Sequence, residues 1–241
     1  MSIVNSVLGM FFTNTCPLCG KVLAFNAKGA CKECNEKVKY VREPRCQKCG
    51  RPLGDMDQIL CEECAKRNHH FDAGICIYEH TGQIKKSIYE FKYKNRREYG
   101  EFYAGESVKM YGKLLKQWNI DAIIPVPIHK DRERERGYNQ ATVFGQALAR
   151  IIAVPIKKNI LIRTKKTERQ KELTDIMRYL NLKNAFSIDR NAMEGIKNVL
   201  VVDDIYTTGS TVDACSSILK KAGARKVYFL CISAGKGIEE A

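Results

Sequence analysis

Residues 199–213 bring two adjacent carboxylates and a run of hydroxyl side chains together beside one glycine. The stretch reads VLVVDDIYTTGSTVD, an apolar run that leads through Asp203 and Asp204 and a short turn into a helix-like segment. The apolar run predicts a buried parallel strand, and ligands of open α/β sheets bind just beyond the carboxyl ends of such strands. This stretch is therefore a candidate binding site.

The turn after the two aspartates is suited to a phosphate. Backbone N–H groups at a helix N-terminus, hydroxyl donors and the helix dipole favour a phosphate, and a glycine allows close approach. The turn contains Thr207, Thr208, Gly209, Ser210 and Thr211. Because carboxylates would repel the phosphate, we assign Asp203 and Asp204 to sugar hydroxyls, with Mg²⁺ nearby to offset their charge. A phosphorylated ribose fits this combination, and a simple helix cap beside two solvated acids is the alternative.

Eight of the eleven cysteines form four C-x-x-C pairs that begin every 15 residues. The sequences CPLCG and CQKCG are each followed by a plainer pair, which makes a 30-residue repeat. Two such pairs supply the four thiolates of a tetrahedral zinc site, so we expect two Zn²⁺ ions. Disulfides and an iron–sulfur cluster are the alternatives, and the reducing compartment expected for this chain disfavours disulfides.

Equal spacing leaves open which pairs share a metal, and we favour the sequential arrangement. The first ion would then be held by Cys16, Cys19, Cys31 and Cys34. The second would be held by Cys46, Cys49, Cys61 and Cys64. The other three cysteines occupy apolar contexts that predict inert core positions: Cys76, Cys215 and Cys231.

The composition changes near residue 70, which predicts a cysteine-rich module over 1–70 and an α/β domain over 71–241. A helix over 2–12 is expected to cap the first module. Strands are expected over 73–79, 121–127, 159–163, 199–204 and 224–233. Helices are expected over 81–93, 100–118, 139–152, 173–186 and 210–223. This alternation predicts a parallel sheet flanked by helices.

The chain of 241 residues is basic, with a formal charge of +14. Two zinc ions held by eight thiolates would lower this to about +10, which still indicates an anionic partner. No apolar run reaches about 18 residues and no export signal is recognisable, so we expect a cytoplasmic protein without a transmembrane segment.

One segment interleaves basic and aromatic residues in the way that single-stranded nucleic acid requires. The candidates are Lys85, Lys86, Lys92, Tyr93, Lys94, Arg96 and Arg97. The alternative is a helix whose Ile88, Phe91 and Tyr89 face the core while its lysines are solvated. Among the histidines, we interpret His69 and His70 as linker residues and His80 as exposed surface.

The aspartate motif resembles the phosphoribosyl-pyrophosphate (PRPP) motif of type I phosphoribosyltransferases, and the wider chain resembles the ComF family. The features that carry the likeness are CPLCG, CQKCG, IIPVPIHKDRERERGYNQA, the motif itself, and Gln170, Leu173, Arg178 and Asn181. The resemblance implies a double zinc ribbon fused to a type I phosphoribosyltransferase-like domain. For several members it implies natural transformation, with handling of incoming single-stranded DNA and partners such as DNA-uptake helicases or membrane-channel proteins.

Carried over by position, the resemblance also implies roles for single residues. Asp203 and Asp204 would meet the ribose hydroxyls, and residues 207–211 the 5′-phosphate. The pyrophosphate side would comprise Pro127, Ile128, His129, Lys130, Arg132 and Arg136, with the arginines in a mobile loop. Mg²⁺ would accompany PRPP.

Two positions depart from the family pattern. Tyr206 stands where an aliphatic residue is usual, and Thr207 stands where purine-salvage relatives carry a catalytic aspartate. A threonine is no general base at neutral pH, so we assign no catalytic residue. The sequence therefore favours a DNA-handling protein with a PRPP pocket. The alternatives are an active phosphoribosyltransferase acting on an unidentified amine or base, and PRPP binding as a regulatory signal.

Overall fold

A computed structural model of the chain describes residues 14–24, 27, 29–164 and 185–235. Two expected helices cannot be compared with the structure. The helix over 2–12 lies wholly outside the described residues, and so do residues 173–184 of the helix over 173–186. The same is true of four residues that carry the family likeness, which are Gln170, Leu173, Arg178 and Asn181.

The described residues form six strands and seven α-helices. The strands are β1 Ala73–Glu79, β2 Ala122–Pro125, β3 Leu161–Arg163, β4 Phe186–Ile188, β5 Asn198–Tyr206 and β6 Lys226–Ala234. The helices are α1 Lys32–Lys37, α2 Glu62–Lys66, α3 Gly82–Tyr93, α4 Tyr99–Gln117, α5 Lys130–Arg136, α6 Gln140–Ile152 and α7 Ser210–Lys221. A single 3-10 turn covers Asn191–Met193.

Four of the strands form a parallel sheet in the order β1-β6-β5-β2, while β3 and β4 pair antiparallel as a separate two-stranded sheet. The predicted α/β class is confirmed. The last partners of β2 and β5 are Pro125 and Val202. Asp203 and Asp204 therefore lie just beyond the end of β2, at the carboxyl edge of the sheet where ligands of such folds bind.

The apolar run of β5 serves two hydrophobic cores, one on each face of the sheet. Val199 and Val201 face a core shared with α7, and Leu200 and Val202 face a core shared with α3, α4 and α6. We call these the α7 core and the α4 core. A strand buried on both faces is continuously apolar, which explains why this run has no polar alternation.

The cysteine-rich module lies on both faces of the same sheet. The second cysteine group and Phe71 belong to the α7 core, whereas Cys16, Leu18 and Cys34 belong to the α4 core. Between the two groups, the chain pairs with the outer edge of β1: Val41 N donates to Ile77 O and Glu79 N to Lys39 O, each at 2.9 Å. The module therefore encloses the β1 edge and packs into the cores of the α/β domain.

His69 and His70 lie in the segment that joins α2 to β1, as expected for linker residues, and they also contact the first turn of α7. The His70 backbone N–H donates to Asp213 Oδ1 at 2.6 Å, and His69 Nδ1 lies 3.6 Å from the same oxygen. His69 is buried and stacks on Phe71. These contacts join the end of the cysteine module to the helix that follows the phosphate-like loop. Among the described helices, none is long and apolar enough to cross a membrane.

We expect the turn after Cys49 to be intolerant of a side chain. A Cβ on Gly50 would lie 2.5 Å from Gly74 O, whereas one on Gly20, the matching residue of the first turn, would meet nothing within 4 Å. Both glycines have positive φ, of 68° and 77°. Gly20→Ala should therefore lower the free energy of unfolding by about 1–2 kcal/mol, through backbone strain alone. Gly50→Ala should cost about 1–3 kcal/mol more, because the turn must move away from β1.

Denaturant unfolding of both zinc-loaded variants would measure this difference in the free energy of unfolding. Equal losses for the two substitutions would contradict a close backbone contact between the second turn and β1.

Candidate functional site

Each group of four cysteines has the geometry of a tetrahedral metal site. In each group the four Sγ atoms lie within 4.8 Å of one another. Cys19 Sγ lies 3.9 Å from Cys31 Sγ, and Cys49 Sγ lies 3.6 Å from Cys61 Sγ. A tetrahedral zinc ion with Zn–S bonds of about 2.3 Å separates its sulfurs by about 3.8 Å. The residues therefore fit zinc, and the metal sites have the sequential arrangement.

Local structure explains why the two halves of each group meet. The glycine knuckles close through 2.8 Å bonds from Gly20 N to Cys16 O and from Gly50 N to Cys46 O. Cys31 and Cys61 precede the short helices α1 and α2, and Cys34 and Cys64 lie within those helices. Each metal group thus combines a glycine knuckle with a helix start.

The two aspartates at the end of β5 have different partners. Asp204 accepts a salt bridge from Lys92 of α3, with Nζ and Oδ1 3.0 Å apart and only 11% and 14% of the two side chains exposed. Asp203 accepts a hydrogen bond from the Asp204 backbone N–H at 2.8 Å. Burial and the neighbouring Asp204 charge raise the pKa of Asp203 to about 7. A cation or hydroxyl donor at this edge would stabilise the ionised form of Asp203.

The phosphate-like loop leads directly into α7. Gly209 has φ of 76° and precedes the first helical residue, Ser210. The Thr208 and Ser210 hydroxyls lie 2.9 Å apart, and Asp213 N donates to Gly209 O at 2.8 Å. The loop therefore brings hydroxyl groups to the N-terminal end of a helix beside the carboxylates, an arrangement that favours a phosphate.

The segment expected as a mobile loop on the pyrophosphate side forms the helix α5. His129 caps its start by accepting from Asp131 N at 3.3 Å, and Gly137 ends it in the left-handed conformation. Arg136 donates to Gln140 Oε1 at 2.9 Å and to Tyr93 Oη at 3.0 Å, so it points toward α3. The other residues proposed for this side are half-buried or exposed, namely Pro127, Ile128, Lys130 and Arg132.

The candidate nucleic-acid residues of α3 lie on two different sides of the helix. Ile88 and Phe91 are buried in the α4 core, while Tyr89 and Tyr93 are 54% and 42% exposed. Tyr89 therefore does not face the core. Lys85, Lys86, Lys94 and Arg97 are also exposed, and Arg96 is half-buried.

Lys92 is withdrawn from this nucleic-acid surface, because its ammonium group is buried against Asp204. It belongs instead to the site at the carboxyl edge of the sheet.

Sequence reasoning missed three residues of the site. Lys92 supplies the counter-ion of Asp204. The pKa of the Arg163 guanidinium on β3 is lowered, first by burial and then by the charge of Arg132, whereas the charge of Asp203 acts in the opposite direction. His80, which we expected on the exposed surface, is half-buried and lies 2.9 Å from Ser233 Oγ. The pKa of His80 is lowered, first by burial and then by Lys92 and Lys85. The only sequence signal for an inward-facing Lys92 was its spacing: it follows Ile88 by four residues and so lies on the same side of α3.

Two protein families match this chain over most of its length. Residues 7–76 match the double zinc ribbon domain, and residues 139–240 match the phosphoribosyl transferase domain. The first match contains all eight cysteines of the metal groups, and the second contains the two aspartates and the phosphate-like loop.

Curated relatives with similar sequences come from several bacteria. Competence protein F of Haemophilus influenzae is 43% identical over 108 residues, which is 44% of this chain and 47% of the relative. Competence protein ComFC of Bacillus subtilis is 28% identical over a region that covers 63% of this chain and 60% of the relative. The DNA utilization protein YhgH of Salmonella typhimurium is 28% identical over 66% of this chain and 70% of its own. The chain thus spans about half the length of the first relative and 60% of the second.

We expect two zinc ions per chain, bound independently. Native mass spectrometry should detect both in the wild-type protein and one in each of the variants Cys34→Ser and Cys64→Ser, since each loses one of four ligands. Cys76→Ser is the matched control, because Cys76 is a buried cysteine outside both groups, and it should keep both ions. Iron in place of zinc, or loss of both ions from a single variant, would contradict two separate zinc sites.

The pKa of Asp203 predicts a pH-dependent contribution to stability. Folding raises this pKa from its ordinary value of 3.8 to about 7, so the folded state takes up a proton between these values. The free energy of unfolding should therefore fall as pH rises from about 4 to about 7 and stay level above that range. Asp203→Asn keeps the acceptor for the Asp204 N–H and removes the titration, so this variant should gain stability relative to wild type as pH rises.

Denaturant titrations at several pH values would measure that gain. A stability difference between variant and wild type that is constant from about pH 4 to pH 8 would show that Asp203 ionises normally.

Proposed function

This chain belongs to the ComF family, and from that premise we propose that it handles single-stranded DNA during DNA uptake. We further propose that its phosphoribosyltransferase-like domain binds PRPP or a related ribose phosphate. The names of its curated relatives, two competence proteins and a DNA utilization protein, support the first part. The carboxylates and the phosphate-like loop support the second.

The observation that carries the proposal is that opposite sides of helix α3 belong to the two proposed ligand sites. Lys92 points inward to Asp204, whereas Tyr89 and Tyr93 point outward with ring centroids 5.0 Å apart. The Arg136 guanidinium lies over the Tyr93 ring, 4.8 Å from its centroid. The aromatic surface proposed for base stacking and the counter-ion of the proposed sugar-phosphate site therefore lie on one helix.

The exposed side of α3 offers what a DNA strand needs without reading its sequence. Bases stack on flat rings and phosphates pair with cations. The tyrosines supply the rings, and Lys85, Lys86 and Lys94 supply cations that have no salt bridge among the described residues. We call this set the α3 face. Binding there is expected to weaken steeply with salt and to tolerate most sequences.

The inner site offers what a ribose phosphate needs. Residues 207–211 would hold the 5′-phosphate, and Asp203 and Asp204 would hold the ribose hydroxyls together with Mg²⁺. Entry of Mg²⁺ would compete with Lys92 for Asp204, because both cations favour the same carboxylate. Lys92 would then be free to pair with a ligand phosphate. A cytoplasmic location and uptake-machinery partners belong to the same proposal.

Phosphoribosyl transfer is the second candidate function. Arg163 lies within electrostatic range of both Asp203 and Arg132, and such cations suit the departing pyrophosphate. Thr207 is exposed at the position where a catalytic aspartate serves some relatives. Transfer would therefore depend on an acceptor that is already nucleophilic, such as an amine.

The α3 face and the inner site are separable by mutation. We expect the triple variant Lys85→Glu, Lys86→Glu, Lys94→Glu to lose at least about tenfold in affinity for single-stranded DNA, with a salt dependence about 2 units shallower. PRPP affinity should be unchanged. Filter binding across a salt series and calorimetry with Mg²⁺ and PRPP would measure the two. Asp203→Asn with Asp204→Asn should show the reverse pattern.

A double variant on α4, Lys113→Glu with Lys116→Glu, controls for a general change in charge, since both lysines are exposed outside the α3 face. If the control lost as much affinity for single-stranded DNA as the triple variant, the α3 face would not be the binding surface. Pyrophosphate release from PRPP that Asp204→Asn abolishes, without any DNA binding, would instead favour the transferase.

A further inference from the structure

Tyr206 lies between the phosphate-like loop and the second metal site. It is 1% exposed, and its ring stacks on Phe229 with centroids 4.9 Å apart and 8° between the planes. Its hydroxyl has no hydrogen-bond partner among the described residues, and burial together with the nearby Cys49 and Cys64 thiols raises the pKa of Tyr206. An unpaired buried hydroxyl is costly unless a neighbouring group, such as a metal-bound thiolate, accepts its hydrogen bond.

The loop backbone rests on this tyrosine. A Cβ added to Gly209 would lie 2.6 Å from Tyr206 Oη and 2.9 Å from Tyr206 Cζ. Only a glycine therefore permits the loop to approach the ring so closely. Any displacement of the ring would be transmitted to the residues proposed to bind the 5′-phosphate, because packed atoms cannot overlap.

Arg51 makes a second connection from the metal site to the loop. It follows the second glycine knuckle, and its backbone O accepts from Cys46 N at 2.8 Å. Its guanidinium donates to the backbone O of Thr207 and lies 5.6 Å from the centre of the Tyr206 ring. The knuckle that supplies two metal ligands thus also binds the first residue of the phosphate-like loop.

The first metal site contacts a different part of the fold. Lys21, which occupies the position of Arg51 in the first knuckle, is 66% exposed and pairs with Glu33 of its own ribbon at 2.9 Å. The first knuckle docks through Pro17 O, which accepts from Ser87 Oγ of α3 at 2.5 Å. The two sites have the same ligands and repeat, but only the second contacts the loop among the described residues.

We propose that the second four-cysteine site positions the phosphate-like loop through Tyr206 and Arg51, and that ligand binding at the loop is coupled to this site and not to the first. The proposal rests on the ribose-phosphate pocket proposed above. Tyr206 and Arg51 act here as positioning residues, because neither is assigned a contact with the ligand.

NMR of the protein with cadmium in both metal sites provides a direct test, because the cadmium shift reports changes at its own thiolates. We expect two resonances, of which one moves on addition of PRPP with Mg²⁺ while the other stays. Tyr206→Phe should displace the same resonance in the absence of ligand, since it removes a hydroxyl dipole from the surroundings of the second site's thiolates. If PRPP binds and neither resonance moves, or both move equally, the proposed coupling is wrong.

Calorimetry on matched variants tests the same coupling in affinity. Arg51→Ala should weaken PRPP binding about tenfold, as expected for the loss of one charge-assisted hydrogen bond. Arg51→Lys should restore most of it, and Lys21→Ala should bind like wild type. Equal affinities for Arg51→Ala and Lys21→Ala would overturn the proposal.

Hydrogen exchange distinguishes this inference from the function on which it rests. In the absence of ligand, the amides of residues 207–211 should exchange faster in Arg51→Ala than in Lys21→Ala, because the loop loses its support. Faster exchange without any PRPP binding would refute the pocket while retaining the structural coupling. Unchanged exchange would refute the coupling even if PRPP binds.

Discussion

Four sulfur atoms that must surround one metal ion constrain this fold more than any other contact. The cysteine-rich module has little apolar interior of its own, and its cysteines belong to the two cores of the sheet. Tetrahedral coordination fixes each glycine knuckle relative to the short helix that follows it. Each knuckle in turn presents a backbone surface to the α/β domain: Gly50 to β1, and Pro17 to α3. Metal coordination and packing of the sheet are therefore parts of one folding problem.

The site at the carboxyl edge follows from a second constraint, which is the charge of two adjacent aspartates at the end of a buried strand. The fold compensates one with Lys92 and leaves the other with a raised pKa. The counter-ion comes from a helix whose other side carries exposed tyrosines and lysines. A change in the charge at the inner site thus acts on the same helix that faces solvent, so the two proposed ligands share one structural element.

Much of this arrangement could be predicted from the sequence because it depends on local patterns. The strand over 73–79 and the helices that flank the sheet follow apolar periodicity, and the metal groups follow cysteine spacing. The helix α5 was expected as a loop because KDRERER has no apolar side chain to reveal a helical period, and its limits depend on a cap at His129 and a left-handed Gly137.

The partners of individual side chains were harder to predict from the sequence. Lys92 and Asp204 are distant in sequence, and nothing in either segment specifies their contact. The sequence shows Tyr206 only as a departure from the usual aliphatic residue, because its contacts with Arg51 and Gly209 depend on how two modules pack.

The pairing of residues 39–41 with the outer edge of β1 affects where this chain can be divided into separate domains. The family matches divide it into residues 7–76 and 139–240, which invites separate expression of two domains. Yet the segment between the two metal groups completes the sheet, and cutting it away would leave a bare strand edge able to pair with other chains. The boundaries of the two family matches therefore do not mark where the chain can be divided safely, and a version without the ribbons would have to protect that edge in another way.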